Sequence, residues 1–325
     1  MRCTTGRWYQ WLAVIVICIL FLSGCGKDED VTVVYETENY NKDIYRGSLF
    51  AEDLCVVSQD VSMEGAPDTS GLHALALFDL NGRKTDCAYK VHERLFPAST
   101  TKIMTALLAL KYGELSDMIT VSANASSTSF AADESICGIK TGDQLTLLDL
   151  LRGLMMESGN DAAVAIAEYI AGSSEAFAQM MNDEARNLMA THTHFMNSNG
   201  LHDENHYTTA YDLYLIFQAC IQYEEFVDII STKQYTVEIK GADGQTRRDN
   251  WEQTNFYATG EAALPQNALI VGGKTGTTKK AGNCLILLEK DSKDDPYISI
   301  VMGAGSKELL YQNMTALING IPVSE

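Results

Sequence analysis

The sequence predicts an α+β fold, with one antiparallel sheet built from both ends of the chain and a helical lobe inserted between them. A β-strand is predicted over residues 71–80, and Asn81-Gly82 predicts the hairpin turn that leads to a return strand over 87–91. Strand-like segments return only near the end, over 234–240, 268–273, 284–290 and 297–304. Because strands do not alternate with helices along the chain, a doubly wound parallel sheet is excluded.

The middle of the chain has helical periodicity, and its breaks carry helix-ending residues. Helices are predicted over residues 101–110, 145–156 and 161–170, the third opening on an Asn/Asp cap and stopping at Gly172. Ser173 can cap a helix that runs to about residue 189, and further helices are predicted over 209–221 and 307–318. These segments supply the inserted lobe and the helices around the sheet.

Composition and charge exclude some classes of function. The 325 residues carry a formal net charge of −19, which repels nucleic acid and anionic lipid headgroups, so no nucleic-acid partner is predicted. The eight cysteines show no CxxC pair, and the five that follow the leader are predicted to be buried or free thiols. His192 and His194, and the pair His202 and His206, are too weak a pattern for a metal site, and no cofactor is predicted.

The N-terminus reads as a targeting segment. A positive stretch precedes the apolar run of residues 11–22, and Leu22-Ser23-Gly24-Cys25 resembles a bacterial lipobox, in which the cysteine is diacylated. This predicts a signal peptide over 1–24, an acidic tether over 25–67 and a single domain over 68–325. A lipid on Cys25 would hold the protein at the extracytoplasmic face of the bacterial membrane. An ordinary signal peptide and a short uncleaved anchor remain alternatives.

Ser99 and Lys102 are three positions apart at the start of the apolar helix in LFPASTTKIMTALLAL. Residues i and i+3 share one face of a helix, so the hydroxyl and the amine lie side by side. A lysine buried in such a helix is partly desolvated, which lowers its pKa and makes a neutral amine available as a base for the serine. The pair is therefore a candidate activated nucleophile, although a lysine can also extend its amine out of an apolar helix.

Two further motifs follow Ser99 and Lys102 along the chain, in the order of a known set of motifs. Ser158-Gly159-Asn160 lies in the break between two predicted helices, and Lys274-Thr275-Gly276 ends the apolar strand in ALIVGGKTGTT. The set S-x-x-K, S-x-N and K-T-G is typical of serine enzymes that bind penicillin. A second K-T-G at Lys140-Thr141-Gly142 has no apolar strand before it, and we interpret it as a turn.

PASTTKIMTALLAL, SGNDAA, NGLHDENHYTTAYDL and VGGKTGTTKKAGNC together resemble the serine-type D-alanyl-D-alanine carboxypeptidases, the low-molecular-weight penicillin-binding proteins. The resemblance covers about residues 72–318 and implies a β-lactamase/transpeptidase-like fold, with residues 68–325 as the catalytic domain. It implies hydrolysis of the terminal D-alanine from peptidoglycan stem peptides, and acylation by β-lactam antibiotics. SGN in place of SDN, and the absence of an E-x-x-L-N segment after Ser158, favour this family over class A β-lactamases.

The resemblance also implies roles for the matched residues. Ser99 would be the nucleophile, Lys102 its general base and Ser158 a proton relay. Substrate binding would involve Asn160, Lys274, Thr275, Gly276 and Thr277, with the backbone N–H groups of Ser99 and Thr277 as the oxyanion hole.

The sequence departs from the family pattern in the region that follows K-T-G. Many members of the family carry an arginine near the substrate carboxylate on the strand after K-T-G, whereas YISIVMGAGSKELL has none and Lys307 is the nearest cation.

The alternatives to the carboxypeptidase function are a β-lactamase or a D,D-endopeptidase of the same fold, or a non-catalytic lipoprotein that binds wall peptide.

Overall fold

The computed structural model describes residues 53–322, which contain a five-stranded antiparallel sheet in the order β2-β1-β9-β8-β7. The sheet does join the two ends of the described chain, because β1 pairs with both β2 and β9. Its strands are β1 (Ala74–Asp79), β2 (Lys84–Tyr89), β7 (Leu269–Thr278), β8 (Gly282–Lys290) and β9 (Pro296–Ala304). Strand β7, which carries K-T-G, lies at one edge. The α+β prediction is confirmed.

A second antiparallel sheet, which the sequence did not predict, has the strand order β3-β4-β5-β6. Its strands are β3 (Met118–Thr120), β4 (Gln144–Thr146), β5 (Gln234–Lys240) and β6 (Thr246–Glu252). The prediction that residues 234–240 join the terminal sheet was therefore wrong. Strands β3 and β4 have three residues each, too short to show a period of two, and β6 is rich in charged residues.

The helical lobe lies between these strands in sequence, as predicted. The helices are α1 (Lys102–Tyr112), α2 (Leu147–Met156), α3 (Asn160–Ala171), α4 (Ser174–Asn187), α5 (Ala210–Cys220), α6 (Glu224–Ser231), the single turn α7 (Phe256–Thr259) and α8 (Lys307–Ile318). Ser173 caps α4 as predicted, accepting a hydrogen bond from the Ala176 N–H. The predicted Asn/Asp cap of α3 was wrong, because Gly159 occupies the N-cap and the Asn160 side chain bonds elsewhere.

The five-stranded sheet is covered on both faces. Every residue of β1 is buried, with Ala74, Ala76 and Phe78 in the core shared with the helical lobe. Leu75 and Leu77 point to the other face and pack in the core beneath α8. This double burial explains why β1 is apolar from Ala74 to Phe78 instead of alternating.

Residues 53–67, which the sequence assigned to the tether, pack on the domain. Cys55 and Val57 are buried, and Val61 exchanges two backbone hydrogen bonds with Ala88 of β2. The compact unit that contains the catalytic motifs begins at Asp53. The leader, Cys25 and the rest of the predicted tether lie outside the described residues.

The five cysteines within residues 53–322 are all buried and free, as predicted: Cys55, Cys87, Cys137, Cys220 and Cys284. Among the helices of this range, none is long and apolar enough to span a bilayer.

Candidate active site

Ser99 lies in a 3-10 turn, Ala98–Thr101, that leads directly into α1. Ala98 has a φ of +50°, a left-handed conformation that a residue with a side chain rarely adopts. A Cβ on Gly200 would come within 1.9 Å of the Ala98 carbonyl oxygen, so only glycine allows this close approach. Such local strain is typical of functional sites, where the surrounding packing sustains it.

The Lys102 amine lies within hydrogen-bond distance of three oxygen atoms, one of which is the Ser99 Oγ. Its Nζ is 3.0 Å from the Ser99 Oγ, 2.8 Å from the Asn160 Oδ1 and 2.6 Å from the Asn199 carbonyl oxygen. The two amide oxygens can only accept hydrogen bonds. A neutral amine has two N–H groups and one lone pair, so donating to both oxygens leaves the lone pair directed at the Ser99 hydroxyl. The arrangement can therefore accept the serine proton.

The electrostatics of the site favour the neutral amine. Lys102 is fully buried, and this burial, reinforced by the positive charge of Lys274, holds its pKa well below the usual value. Burial also lowers the pKa of Lys274 to about 7. Desolvation of the amine, from which the lowered pKa of Lys102 was predicted, is the largest cause of the lowered pKa of both lysines.

Ser158 and Asn160 lie in the break between α2 and α3, as predicted. Ser158 has a φ of +60° and is only 4% exposed, and it lines the same cavity as Ser99. Asn160 is the first residue of α3, and its side chain accepts from Lys102 through Oδ1. Its Nδ2 group reaches Glu134 Oε2 at 3.5 Å, which fixes the orientation of the amide.

Asp161 anchors the loop that forms one wall of the site. Its buried carboxylate accepts hydrogen bonds from the backbone N–H groups of Cys137, Gly138 and Ile139 at 2.8–3.2 Å. The N–H of Asn160 donates to the Ser135 carbonyl, so the first residues of α3 hold this loop at two points. Burial raises the pKa of Asp161, and these backbone donors oppose the rise.

Strand β7 carries the K-T-G motif alongside the 3-10 turn. A Cβ on Gly276 would lie 3.0 Å from the Ser99 and Thr100 nitrogens and 3.1 Å from the Pro97 oxygen, so glycine allows the strand to approach the nucleophile. Lys274 is 1% exposed, and its Nζ donates to the Thr275 carbonyl. Thr277 follows two residues after Thr275. It lines two neighbouring cavities, and Ser99 lines both of them as well.

Lys140-Thr141-Gly142 forms a turn, as predicted, with Gly142 at a φ of +85°.

The segment NGLHDENHYTTAYDL was part of the resemblance, but no role was predicted for Asn199 or for the loop that carries it. The Asn199 carbonyl accepts from Lys102, and the Ser198 carbonyl accepts from the Thr105 hydroxyl at 2.6 Å, which ties the loop to α1. His206 supports the same loop, because its Nδ1 accepts from the Met196 N–H while its Nε2 lies 2.8 Å from the Thr101 hydroxyl. Burial lowers the pKa of His206 to about 4, so the ring is neutral. The turn signal Asn199-Gly200 was the available clue.

The family model of D-alanyl-D-alanine carboxypeptidases matches residues 61–306, more than half of the chain. The chain belongs to this family. The D-alanyl-D-alanine carboxypeptidase DacC of Escherichia coli (strain K12) is 33% identical over 279 residues, covering 83% of this chain and 65% of the relative. DacF of Bacillus subtilis (strain 168) is 32% identical over 233 residues, covering 70% of this chain and 56% of the relative. The chain thus spans less than two thirds of the length of these curated carboxypeptidases.

Solved structures related to the family share the fold. The Streptomyces K15 DD-transpeptidase superimposes with a TM-score of 0.71 at 26% identity, covering 82% of this chain and 98% of that one. Penicillin-binding protein 5 from Haemophilus influenzae gives a TM-score of 0.67 at 28% identity, over 81% of this chain and 71% of that one. The β-lactamase/transpeptidase-like architecture predicted from the motifs is therefore confirmed.

Proposed function

We propose that the protein is a serine D,D-carboxypeptidase that removes the terminal D-alanine from peptidoglycan stem peptides, and that β-lactams acylate the same serine. The observation that carries this proposal is the hydrogen bonding of Lys102. Two carbonyl oxygens accept from its N–H groups, and the Ser99 Oγ lies 3.0 Å from the Lys102 Nζ, where the remaining lone pair can accept the hydroxyl proton. A buried neutral amine in this position is a general base for the hydroxyl.

In the acylation step, Ser99 Oγ attacks the carbonyl carbon of the penultimate D-alanine while its proton passes to Lys102 Nζ. The tetrahedral oxyanion is bound by the backbone N–H groups of Ser99 and Thr277, and the close contact of Gly276 with the Ser99 nitrogen supports this assignment. When the C–N bond breaks, the proton returns through Ser158 to the departing D-alanine amine. Water then attacks the ester, Lys102 takes its proton, and Ser99 regains a hydroxyl.

Substrate binding is assigned to the remaining motif residues. The Thr275 hydroxyl lies 2.6 Å from the Thr254 hydroxyl and lines the cavity beside Ser99, where a substrate carboxylate can accept from it. Lys274, whose Nζ donates to the Thr275 carbonyl, adds positive potential near the substrate carboxylate when it is protonated. The Asn160 Nδ2 group donates one N–H to Glu134 and has a second N–H for the substrate backbone, while its Oδ1 accepts from Lys102.

The test is release of D-alanine from a diacyl-D-alanyl-D-alanine peptide, with fluorescent penicillin labelling of the same preparation. We expect release by the wild type, and neither release nor labelling by Ser99→Ala. Ser116→Ala, an exposed serine outside the site, is the matched control and should behave as the wild type. Wild type that fails to release D-alanine contradicts the proposal. Rapid nitrocefin turnover would instead identify a β-lactamase, and release of monomers from cross-linked muropeptides an endopeptidase.

We further propose that the protein is a lipoprotein held at the extracytoplasmic face of the membrane through Cys25. The support is the Leu22-Ser23-Gly24-Cys25 sequence after an apolar run, followed by polar residues. Two acyl chains provide the anchoring that one chain does not. Cells fed labelled palmitate should incorporate label into the wild type and into Cys18→Ala, and not into Cys25→Ala. Label that persists in Cys25→Ala contradicts this proposal.

A further inference from the structure

Ser99 lies where two neighbouring cavities meet. The cavity of about 300 Å³ includes Thr275 and takes the terminal D-alanine in the proposed reaction. The second cavity has a volume of about 470 Å³, which is large enough for a group the size of a small ligand. Ser99 and Thr277 line both cavities, so the carbonyl under attack lies at their junction. The part of the peptide that precedes the penultimate D-alanine therefore extends into the second cavity, which we call the acyl-side cavity.

Charged side chains of both signs line the acyl-side cavity. Asp133 and Glu134, the acidic pair, come from the loop between β3 and β4. Lys279 and Lys280, the basic pair, come from the turn between β7 and β8. Within residues 53–322, none of these four side chains forms a salt bridge. Both pairs of charges are therefore available to a ligand.

The loop that carries the acidic pair is held against the catalytic motifs. The Glu134 Oε2 lies 3.5 Å from the Asn160 Nδ2, and the Asn160 N–H donates to the Ser135 carbonyl at 2.8 Å. Asp161 holds the next part of the loop through three backbone N–H groups. Because Asn160 also accepts from Lys102, the loop has a defined position relative to the proposed base.

The basic pair lies in a tight turn at the end of the K-T-G strand. Thr278 and Gly282 are partners in the ladder between β7 and β8, and the Ala281 N–H donates to the Thr278 Oγ1 at 3.0 Å. Gly282 has a φ of +69°, which a glycine adopts without strain. The turn therefore places Lys279 and Lys280 directly after the strand that borders the nucleophile.

A ligand that matches this cavity carries charges of both signs. A side chain with an ammonium alone would leave the basic pair without a partner, and a side chain with a carboxylate alone would do the same to the acidic pair. A side chain that ends in an ammonium and a carboxylate complements both pairs, and such complementarity gives specificity more than affinity.

We propose that the acyl-side cavity selects peptides in which the residue before the penultimate D-alanine has a zwitterionic side chain, with one ammonium and one carboxylate. The acidic pair binds the ammonium, and the basic pair binds the carboxylate. The proposal rests on the proposed function, because it names the class of peptide that the same serine attacks. None of the four side chains is buried, so each pair contributes about two- to fivefold in rate and takes no part in proton transfer.

The experiment measures kcat/KM for D-alanine release from four peptides of the form acetyl-X-D-Ala-D-Ala, in which the terminal carboxylate is the one charge outside X. The residue X is diaminopimelate with an ammonium and a carboxylate, lysine with an ammonium, 2-aminopimelate with a carboxylate, or norleucine with neither. We expect the wild type to hydrolyse the diaminopimelate peptide about fivefold or more faster than the norleucine peptide, with the other two between them.

Two double variants remove the pairs separately and keep polar side chains: Asp133→Asn/Glu134→Gln and Lys279→Gln/Lys280→Gln. Each rate is divided by the rate of the same variant with the norleucine peptide, so that an effect on Asn160 cancels. The acidic double variant should lose its preference for the lysine peptide and keep that for the 2-aminopimelate peptide, and the basic double variant should do the reverse. Both should lower the preference for the diaminopimelate peptide about two- to fivefold.

Matched controls remove the same charges outside the site: Glu224→Gln/Glu225→Gln in the first turn of α6, and Lys233→Gln/Lys293→Gln. All four residues are exposed, and none of them lines either cavity. Because the controls change the net charge equally, a long-range effect on peptide association would appear in them as well. We expect both controls to keep the wild-type order of the four peptides.

Three results would overturn the inference: wild-type rates for the four peptides within about twofold of one another, a double variant that lowers all four rates equally, or a control that changes the preference as its matched variant does. Failure of the proposed function is a separate result, because the wild type would then release D-alanine from none of the peptides. The order of preference is in that case measured as binding to Ser99→Ala by calorimetry, where equal affinities for the four peptides would overturn the inference.

Discussion

Replacing Lys102 with arginine removes the proposed base while it keeps a positive, hydrogen-bonding side chain. The Lys102 Nζ has three partners at 2.6–3.0 Å, and the side chain is completely buried. A guanidinium can still donate to the Asn160 and Asn199 oxygens, but it cannot be deprotonated in a protein and offers Ser99 no lone pair. Lys102→Arg therefore tests the protonation state of the group and not merely its presence.

The expected loss follows from the value of a positioned base. General base catalysis contributes roughly 10²- to 10⁴-fold, so acylation of Lys102→Arg should be slower by at least about 100-fold. The larger side chain also overpacks a closed site, at a cost of about 1–3 kcal/mol in the free energy of unfolding. This cost lowers the melting temperature but leaves the domain folded at room temperature.

The assay is the second-order rate of acylation by a fluorescent penicillin, with thermal melting followed by circular dichroism on the same samples. Lys111→Arg is the matched control, because Lys111 is on the same helix and pairs with Glu184 away from Ser99. The control should be acylated at the wild-type rate. Acylation of a folded Lys102→Arg within about tenfold of the wild type would refute the assignment of the base.

Three further predictions concern positions around the site and in the sheet. Gly276→Ala places a Cβ 3.0 Å from the Ser99 nitrogen, so penicillin acylation should fall at least about tenfold, whereas Gly305→Ala, whose Cβ meets nothing within 4 Å, should be acylated normally. Asp161→Asn removes the carboxylate that accepts from the loop over residues 137–139, and the free energy of unfolding measured in urea should fall by about 2–4 kcal/mol; an unchanged urea midpoint would contradict this. Burial raises the pKa of Glu289 well above 4.5, so the contribution of this residue to wild-type stability decreases as the pH rises above 4.5, because the unfolded chain ionises there first. Glu289→Gln cannot ionise and so does not lose stability in this way. The melting temperature of Glu289→Gln minus that of the wild type should therefore increase from pH 5 to pH 8. A difference that stays constant over this range would contradict a buried, protonated Glu289.

The terminal sheet and the three motifs were predictable because their signals are local. Strand β1 is apolar from Ala74 to Phe78, Asn81-Gly82 marks its turn, and helix α8 was predicted over the residues that it occupies, 307–318. The second sheet was not predictable, because β3 and β4 are too short for periodicity and β4 meets β5 through residues far apart in sequence. Tertiary pairing, and not propensity, defines these strands.

Within the site, the sequence located the reactive side chains but not the backbone groups that orient them. Ser99, Lys102 and Ser158 each belong to a recognisable spacing. The Asn199 carbonyl that accepts from Lys102 is 97 residues away along the chain. Because every residue has a backbone carbonyl, the residue type at this position does not indicate the contact.

The charge of the Lys102 amine can be measured directly by ¹⁵N NMR of protein labelled at lysine Nζ, with the signal identified by its loss in Lys102→Arg. At pH 7 we expect the chemical shift of a neutral amine, because burial and the neighbouring Lys274 lower the pKa of Lys102 well below its usual value. An ammonium shift that persists from pH 7 to pH 9 in active enzyme would contradict the central claim that an uncharged Lys102 accepts the Ser99 proton.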